Sequence, residues 1–159
     1  MLRVLRWIGI ALGVVVVAIL LTLLAARFHD GPIGPFTGGS FEAGESAEVP
    51  SDWSFAADAR TLELELPPDV GRSITTWLVV SDGRLYVPCG FAASKRWPHA
   101  VVRDSRVRVR LAGKIYALSA VRVEDPATLA RVRPVLAAKY DLPSEGFGEG
   151  GWLFALSRR

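Results

Sequence analysis

The sequence predicts an α+β fold: a small antiparallel β-barrel or open sheet with one or two peripheral helices, preceded by a single transmembrane helix. Three observations carry this. Residues 7–26 are uniformly apolar and uncharged, residues 61–123 alternate strand-like runs with Gly-containing turns, and residues 126–140 carry the start signals and spacing of a helix. The chain of 159 residues is long enough for one domain of ordinary size.

The apolar run Trp7–Ala26 holds 20 residues without a charge. At about 1.5 Å per residue it makes a helix roughly 30 Å long, the thickness of a bilayer's hydrocarbon core. Burying such a helix would consume most of the core of so small a domain, so a membrane span is the better reading. It outlasts the roughly 7–15-residue apolar region of a signal peptide. Its end, Leu24-Ala25-Ala26-Arg27, is also a poor cleavage site, and an uncleaved signal anchor is expected. Arg3 and Arg6 precede the span, while Arg27 and Asp30 follow it. By a margin of about one charge, the positive-inside rule puts residues 1–6 in the cytoplasm. The C-terminal domain is then periplasmic or extracytoplasmic, on the inner (plasma) membrane of a bacterium.

Residues 27–51 are rich in Gly and Pro and read as a tether or a lid. Phe28, Ile33, Phe36 and Phe41 are more apolar than a free linker needs, so part of this segment should pack down. Residues 52–159 form the domain. "TLELEL" (61–66) alternates with period two, the pattern of a half-buried strand, and Pro67-Pro68 ends it. "SITTWLVV" (73–80) is β-branched and aromatic, and Asp82-Gly83 turns it into "RLYVP" (84–88), a strong hairpin signal. "RVRVRL" (106–111) and "KIYALSAVRV" (114–123) make a second hairpin through Ala112-Gly113, and "WLFALS" (152–157) is a last strand. A short helix is expected within 92–104. A clearer one covers 126–140, with Asp125 as N-cap, Pro126 at the first position, and Pro134 inside predicting a kink or two short helices.

Charge excludes one function class. After the span, 17 basic residues face 16 acidic ones, a near-neutral balance that argues against a general nucleic-acid binder. Its distribution is uneven: residues 40–70 hold eight acids and only Arg60, whereas residues 95–123 hold eight bases and only Asp104. The ordinary account is that the acidic segment lies beside the basic sheet and the charges offset each other. The alternation of Arg106, Arg108 and Arg110 with Val107, Val109 and Leu111 likewise reads as one solvated or acid-paired strand face and one apolar face.

Little else suggests chemistry. There is no Gly-x-Ser-x-Gly elbow, and "GFGEGG" (146–151) follows no predicted strand, so it reads as a flexible loop and not a phosphate cradle. Two His and one Cys, far apart, lack metal-site spacing. Cys89 allows no intramolecular disulfide; beside Pro88 and Gly90 after a strand it has a place near a pocket as one reading, and a buried, inert thiol is its commoner role. Trp53, Trp77, Trp97 and Trp152 are more ordinary as core than as a cofactor platform. Two clusters remain: Arg72-Ser73-x-Thr75-Thr76 entering a strand, and Ser94-Lys95-Arg96-Trp97 entering the short helix. Cations, hydroxyls and a helix N-terminus are what a phosphate monoester requires. Each cluster alone is also an ordinary surface feature; convergence in space would distinguish the two readings.

The order "RSITTWLVVSDGRLYVPCG" (72–90), then "SKRWPHAVVRDSRVRVRLAGKIYALSAVRVEDP" (94–126), resembles the split β-barrel of the pyridoxamine-phosphate-oxidase-like and deazaflavin-dependent nitroreductase families. The shared features are a strand, an Asp-Gly hairpin, a Lys/Arg-rich turn, a Trp-led helix and a Gly hairpin, over roughly residues 60–140. The resemblance implies a homodimer through the barrel that holds FMN or the deazaflavin F420 at its interface. Carried over to matching positions, Arg72, Thr75, Thr76, Ser94, Lys95 and Arg96 would neighbour the cofactor phosphate, and Trp97 would lie near the pocket. The cofactor would carry the redox chemistry of an oxidoreductase. Two departures stand out: His99 where the nitroreductase-like pattern often has Asn, and an N-terminal anchor on a domain whose relatives are mostly cytoplasmic. Some split barrels bind haem, for which His99 and Cys89 are the only nearby candidate ligands. A non-enzymatic membrane-anchored domain that binds a partner or another ligand is the alternative. Catalytic residues, substrate and redox partner are left unassigned.

Overall fold

A computed structural model of the chain describes residues 2–143 and 150–159, so most of the loop read at 146–151 lies outside the described residues. The N-terminal helix α1 (Leu2–Arg27) contains the apolar run, and Arg6–Arg27 is long and apolar enough to cross a membrane. None of its most apolar stretch is buried against the rest of the protein.

The domain is a curled antiparallel half-barrel. Its strands are β1 (Glu45–Ser46), β2 (Thr61–Glu65), β3 (Ser73–Trp77), β4 (Val79–Ser81), β5 (Arg84–Cys89), β6 (Arg106–Leu111), β7 (Lys114–Arg122) and β8 (Trp152–Arg158). Seven of them run in the order β3-β2-β6-β7-β8-β5-β4, and β1 adds a short parallel pairing at the start of β7. β3 and β4 occupy opposite ends of that order, yet only Leu78 separates them in sequence. One continuous segment therefore supplies both edges, which forces the sheet to curl.

Period-two patterning decides what the curl encloses. Leu62, Leu64, Leu85, Val87, Val107, Val109, Tyr116, Leu118 and Phe154 point inward to one core, all 5 % exposed or less. The helix α3 (Pro126–Tyr140) lays Val132, Leu136 and Tyr140 on the outside of Val79, Tyr86 and Leu153. Its start is as the sequence predicts: Asp125 accepts from the Thr128 amide at 2.8 Å, and Pro126 follows. Pro134 does not divide it, because the helix runs unbroken from 126 to 140. The expected helix within 92–104 is a 3-10 turn, Ala92–Ser94, followed by α2 (Arg96–Arg103).

Both hairpins close through residues with positive φ, Asp82 (50°) with Gly83 (68°) and Ala112 (50°) with Gly113 (77°). That pairing is the type I′ turn, whose twist matches the flanking strands. Asp tolerates the left-handed region; Ala does so at a cost of about 1–2 kcal/mol. Ala112→Asn is therefore expected to stabilise the domain by about 1 kcal/mol. The check is a higher urea midpoint at unchanged slope.

The Gly/Pro-rich segment is not a free tether. It is a strap bolted across the outer face of β2 and β6. Gly38 and Ser73 exchange two main-chain hydrogen bonds (3.0 and 3.1 Å), and the buried Ser73 hydroxyl donates to the Gly39 carbonyl at 2.6 Å. Arg108 donates to Glu65 and to the Phe41 carbonyl, while the Phe41 amide donates to Glu65. Arg110 does most. Its Nε donates to Glu63 at 2.6 Å, its Nη atoms donate to the Asp30 carboxylate and carbonyl and to the Ala43 carbonyl, and its guanidinium lies 4.5 Å from the Phe41 ring centroid. Close approach dictates two glycines: a Cβ on Gly31 would meet Arg110 Nη2 at 1.9 Å, and one on Gly38 would meet the Gly31 carbonyl at 1.7 Å.

The acidic and basic segments therefore do offset each other within the domain. The face carrying Arg108 and Arg110 is acid-paired and covered, while Arg106 alone stays wet, paired with Asp104. Exposure ranks these pairs. The Arg110 side chain is 18 % exposed and multiply bonded, whereas Arg158–Glu48, at 63 % and 88 %, belongs with surface bridges of about 0–1 kcal/mol.

The Glu42 amide holds the Asp30 carboxyl below the usual carboxylate range, working against the carboxyl's own burial and reinforced by Arg110. The docked strap thus gains stability that is complete above the ordinary aspartate value and is lost as pH falls through the lower folded one. Exchange protection of the strap amides should hold down to about pH 4 and then decline. Asp30→Asn should cut protection about tenfold at neutral pH, since hydrogen bonds to charged groups are worth about 1.5–3 kcal/mol, and should blunt the acid-side decline. An unchanged profile would mean that the Asp30 charge does not hold the strap.

Candidate functional site

The split in the barrel is built by one register argument. The Arg72 carbonyl accepts from the Leu66 amide, so Arg72 faces β2, whereas Ser73 turns its amide and carbonyl away toward Gly38. Main-chain groups alternate along a strand, so Thr75 and Trp77 also face away from β2. The strap covers that edge only at Ser73. Beyond it, no other main-chain pairing covers the edge among the described residues.

Tyr140 ends the β2–β3 ladder. The last pair is Thr61 with Trp77, and the next rung would join Arg60 to Leu78. The Tyr140 hydroxyl occupies that place instead: it accepts from the Leu78 amide at 3.2 Å and lies within donating reach of the Leu78 and Arg60 carbonyls. Burial pushes its pKa up, keeping the phenol protonated and able to donate. The ring stacks on Trp77 at 4.4 Å and 9°. β3 is thereby parted from the body of the sheet at Leu78, where the chain crosses to β4.

Between the open edge of β3 and the turn after β5 lies a cleft of about 460 Å³, lined by Thr75, Thr76, Trp77, Gly90, Phe91, Lys95 and Leu142. That size is within the range of small-molecule sites, roughly 300–1,000 Å³. One part is polar, with Lys95, two threonine hydroxyls and edge amides. The other is apolar, with Trp77, Phe91 and Leu142. Phe91 is 78 % exposed and held at φ 54°, a conformation rare for an aromatic residue. A wider groove of about 580 Å³ runs between Val49–Trp53 and Ala155–Arg158, where Arg158 is already engaged by Glu48 and the Val49 carbonyl.

Of the residues singled out in the sequence, the structure brings Thr75, Thr76 and Lys95 to this cleft. Thr75 and Thr76 lie on opposite strand faces, as period two requires, and meet the cleft only because it sits over the edge. Arg72, Ser94, Arg96 and Trp97 do not line it. Arg72 is exposed at the turn before β3, and the Ser94 hydroxyl donates to the Phe91 carbonyl at 2.9 Å, fixing the turn. Arg96 opens α2 and is exposed, while Trp97 packs on Phe154 at 5.4 Å, against the core. Nor do the two candidate haem ligands reach the cleft: His99 packs edge-on against Trp152 at 4.9 Å, and Cys89 is buried in the core. Burial pushes the Cys89 thiol up, against the opposing effect of Lys95. Sequence reasoning missed Trp77, Gly90, Phe91, Leu142 and Tyr140. Only "PCGF", a Gly-aromatic step after a strand, carried a usable signal.

No protein-family model and no curated protein sequence matches the chain. Solved structures do. The fold is similar to that of a conserved hypothetical protein from Mycobacterium tuberculosis, with a TM-score of 0.51 and 20 % identity over 72 % of this chain and 85 % of that one. A Listeria innocua protein provisionally named as a pyridoxamine 5′-phosphate oxidase aligns at TM-score 0.48 and 15 % identity, over 62 % of this chain and 82 % of that one. A NimC/NimA family protein from Clostridium acetobutylicum aligns at 0.47 and 9 %, over 64 % and 73 %. At these identities the likeness is one of fold, and the curled antiparallel half-barrel is the fold that the sequence resemblance implies.

Tyr140→Phe tests the seam. It leaves the Leu78 amide and the Arg60 carbonyl without their partner, which is expected to cost about 1–3 kcal/mol. The lost stability should appear in denaturant unfolding, together with faster exchange at Leu78. A neutral outcome would mean that the hydroxyl does not hold the split.

Proposed function

We propose that this protein is a membrane-anchored flavin-binding protein of the oxidoreductase class, with the cleft in the barrel split as its cofactor site. The observation that carries this is the gathering of Thr75, Thr76 and Lys95 beside Trp77 and Phe91. A flavin mononucleotide, or its deazaflavin counterpart, needs a place for a phosphate and a place for a flat ring system. The cleft supplies both kinds of surface.

Lys95 would meet the phosphate as a point charge, with the threonine hydroxyls and the Thr75 and Trp77 amides as donors. Trp77, Phe91 and Leu142 would flank the ring. The bound flavin supplies the redox chemistry; the protein binds it, orients it and sheds water from one face. The fit has a limit in charge, because Lys95 is the one cation among the lining residues. A second copy of the chain across the split would cover Phe91 and Trp77, now 78 % and 42 % exposed, and could bring further cations. Haem fits less well, since none of the lining residues is a His, Cys or Met. In this reading α1 is the anchor and the barrel lies outside the inner membrane.

The test is an absorption spectrum of the full chain purified in detergent, before and after addition of FMN or F420, with mass spectrometry of anything released. A flavin or deazaflavin band is expected, and Lys95→Ala should weaken binding by tenfold or more, the scale of one charge-assisted contact of about 1.5–3 kcal/mol. Arg96→Ala, outside the cleft, should change it by less than threefold. A colourless protein that takes up neither cofactor would overturn the flavin reading and leave an anchored binding domain.

A further inference from the structure

The strap carries a feature that neither the cleft nor the charge pairing uses. Residues 31–36, "GPIGPF", contain no charge and fold back on themselves: the Ile33 amide donates to the Phe36 carbonyl at 3.1 Å and the Phe36 amide to the Ile33 carbonyl at 3.0 Å. Pro32 and Pro35 have no amide hydrogen, so over residues 32–36 only the Gly34 amide lacks a main-chain partner. Among the carbonyls of the same residues, those of Pro32, Gly34 and Pro35 lack one. Its side chains point outward, with Ile33 42 % and Phe36 46 % exposed, and Phe28 nearby is 77 % exposed.

Position makes this more than an exposed apolar turn. Phe36 shares one apolar hollow of about 270 Å³ with Val15, Ala18, Ile19, Thr22 and Leu23 of α1. At about 1.5 Å per residue, those residues lie on the order of 6–18 Å along the axis before Arg27. A turn packed at that level cannot sit above the membrane if α1 crosses it. The neck of the turn is pinched at Gly31 and Gly38, and the Gly39 amide bonds the His29 carbonyl at 2.9 Å, so the chain enters and leaves at one place.

We infer that residues 31–36 form a second membrane-engaged element, a short finger at the lipid interface whose Ile33 and Phe36 side chains enter the leaflet beside the end of α1. Lipid demands that backbone polar groups be satisfied internally, so the Gly34 amide and the Pro32, Gly34 and Pro35 carbonyls, which the Ile33–Phe36 exchange leaves unpaired, stay at the hydrated headgroup level while the Ile33 and Phe36 side chains enter the apolar region. Inserting the finger removes Ile33 and Phe36 from water while leaving Asp30 and Arg110, at its neck, above the hydrocarbon. With its neck bonded to Ser73, the finger sets the start of β3 against the lipid surface. Thr75, about 7 Å further along the strand, brings the cleft to the same surface. The inference rests on reading α1 as a membrane span.

Spin labelling of the full chain in phosphatidylcholine–phosphatidylglycerol vesicles separates the two ideas. In a Cys89→Ala background, labels are placed by Ile33→Cys and Phe36→Cys, with Leu20→Cys reporting on the span and Ser51→Cys on the exposed strap end. The ratio of oxygen to nickel-chelate accessibility should be several-fold higher at positions 33 and 36 than at 51, approaching that at 20. A lipid signature at position 20 with an aqueous one at both 33 and 36 would overturn the finger and leave the anchor intact. An aqueous signature at position 20 would overturn the span, and the finger with it.

Discussion

The structure depends on one constraint: the segment Ser73–Ser81 must serve as both edges of the same sheet. β3 ends against β2, β4 begins against β5, and Leu78, fully buried, is the only residue between them. A continuous strand cannot pair on two distant neighbours without breaking its ladder, and an unfilled break would leave buried main-chain groups unpaired at about 1–3 kcal/mol each. The Tyr140 hydroxyl resolves this by standing in for the missing rung. The barrel is consequently split, and the split is where an unprotected strand edge, a lysine and two exposed aromatic rings meet.

A second constraint joins α1 to the barrel. A flexible linker would leave α1 and the domain independent, but the strap is fixed by main-chain bonds at Ser73 and by the arginines of β6. Among the ion pairs, magnitude separates function from decoration. Arg110 is largely buried, is bonded to two carboxylates and two carbonyls, and lies over an aromatic ring. Arg158–Glu48 is mostly exposed, and Arg122–Glu124 is long at 3.6 Å with its glutamate mostly exposed. Burial alone would disfavour the Arg110 charge, and Glu63 and Asp30 more than offset it, so its pKa rises.

Much of the fold was legible. Period-two alternation found β2, β6 and β7, the Gly-containing turns placed both hairpins, and the Asp125-Pro126 pair started α3. What escaped depends on partners distant in sequence. Nothing in the β-branched run 73–80 marks Leu78 as a break, because the break is made by a tyrosine 62 residues further on. That part of the strap packs down was legible from its apolar residues, but where it docks was not, because its anchors, Glu63, Glu65, Arg108 and Arg110, lie on strands whose exposed faces are ordinarily solvated. The candidate site was half legible for the same reason. Thr75, Thr76 and Lys95 gather because the split passes between them. Arg72 is carried to a turn and Trp97 against the core by strand and helix periodicities that residue type alone does not reveal.

Ser73 shows why these features act together. Its main chain pairs with Gly38, its hydroxyl bonds Gly39, and it is fully buried at the junction of strap and barrel. Two residues on, Thr75 is already at the cleft. Thr75 also borders the hollow on the outer face that contains Glu63 and Arg110. The same short strand thus touches the strap's main chain, the ion-pair cluster and the cleft within about 7 Å, with no glycine or loop between them to absorb a displacement. Interiors packed at crystalline density transmit such shifts and do not dissipate them. A strap that moved by one hydrogen bond would drag the open edge of β3 with it, so the geometry of the cleft is set by how the chain leaves α1 as much as by the barrel itself.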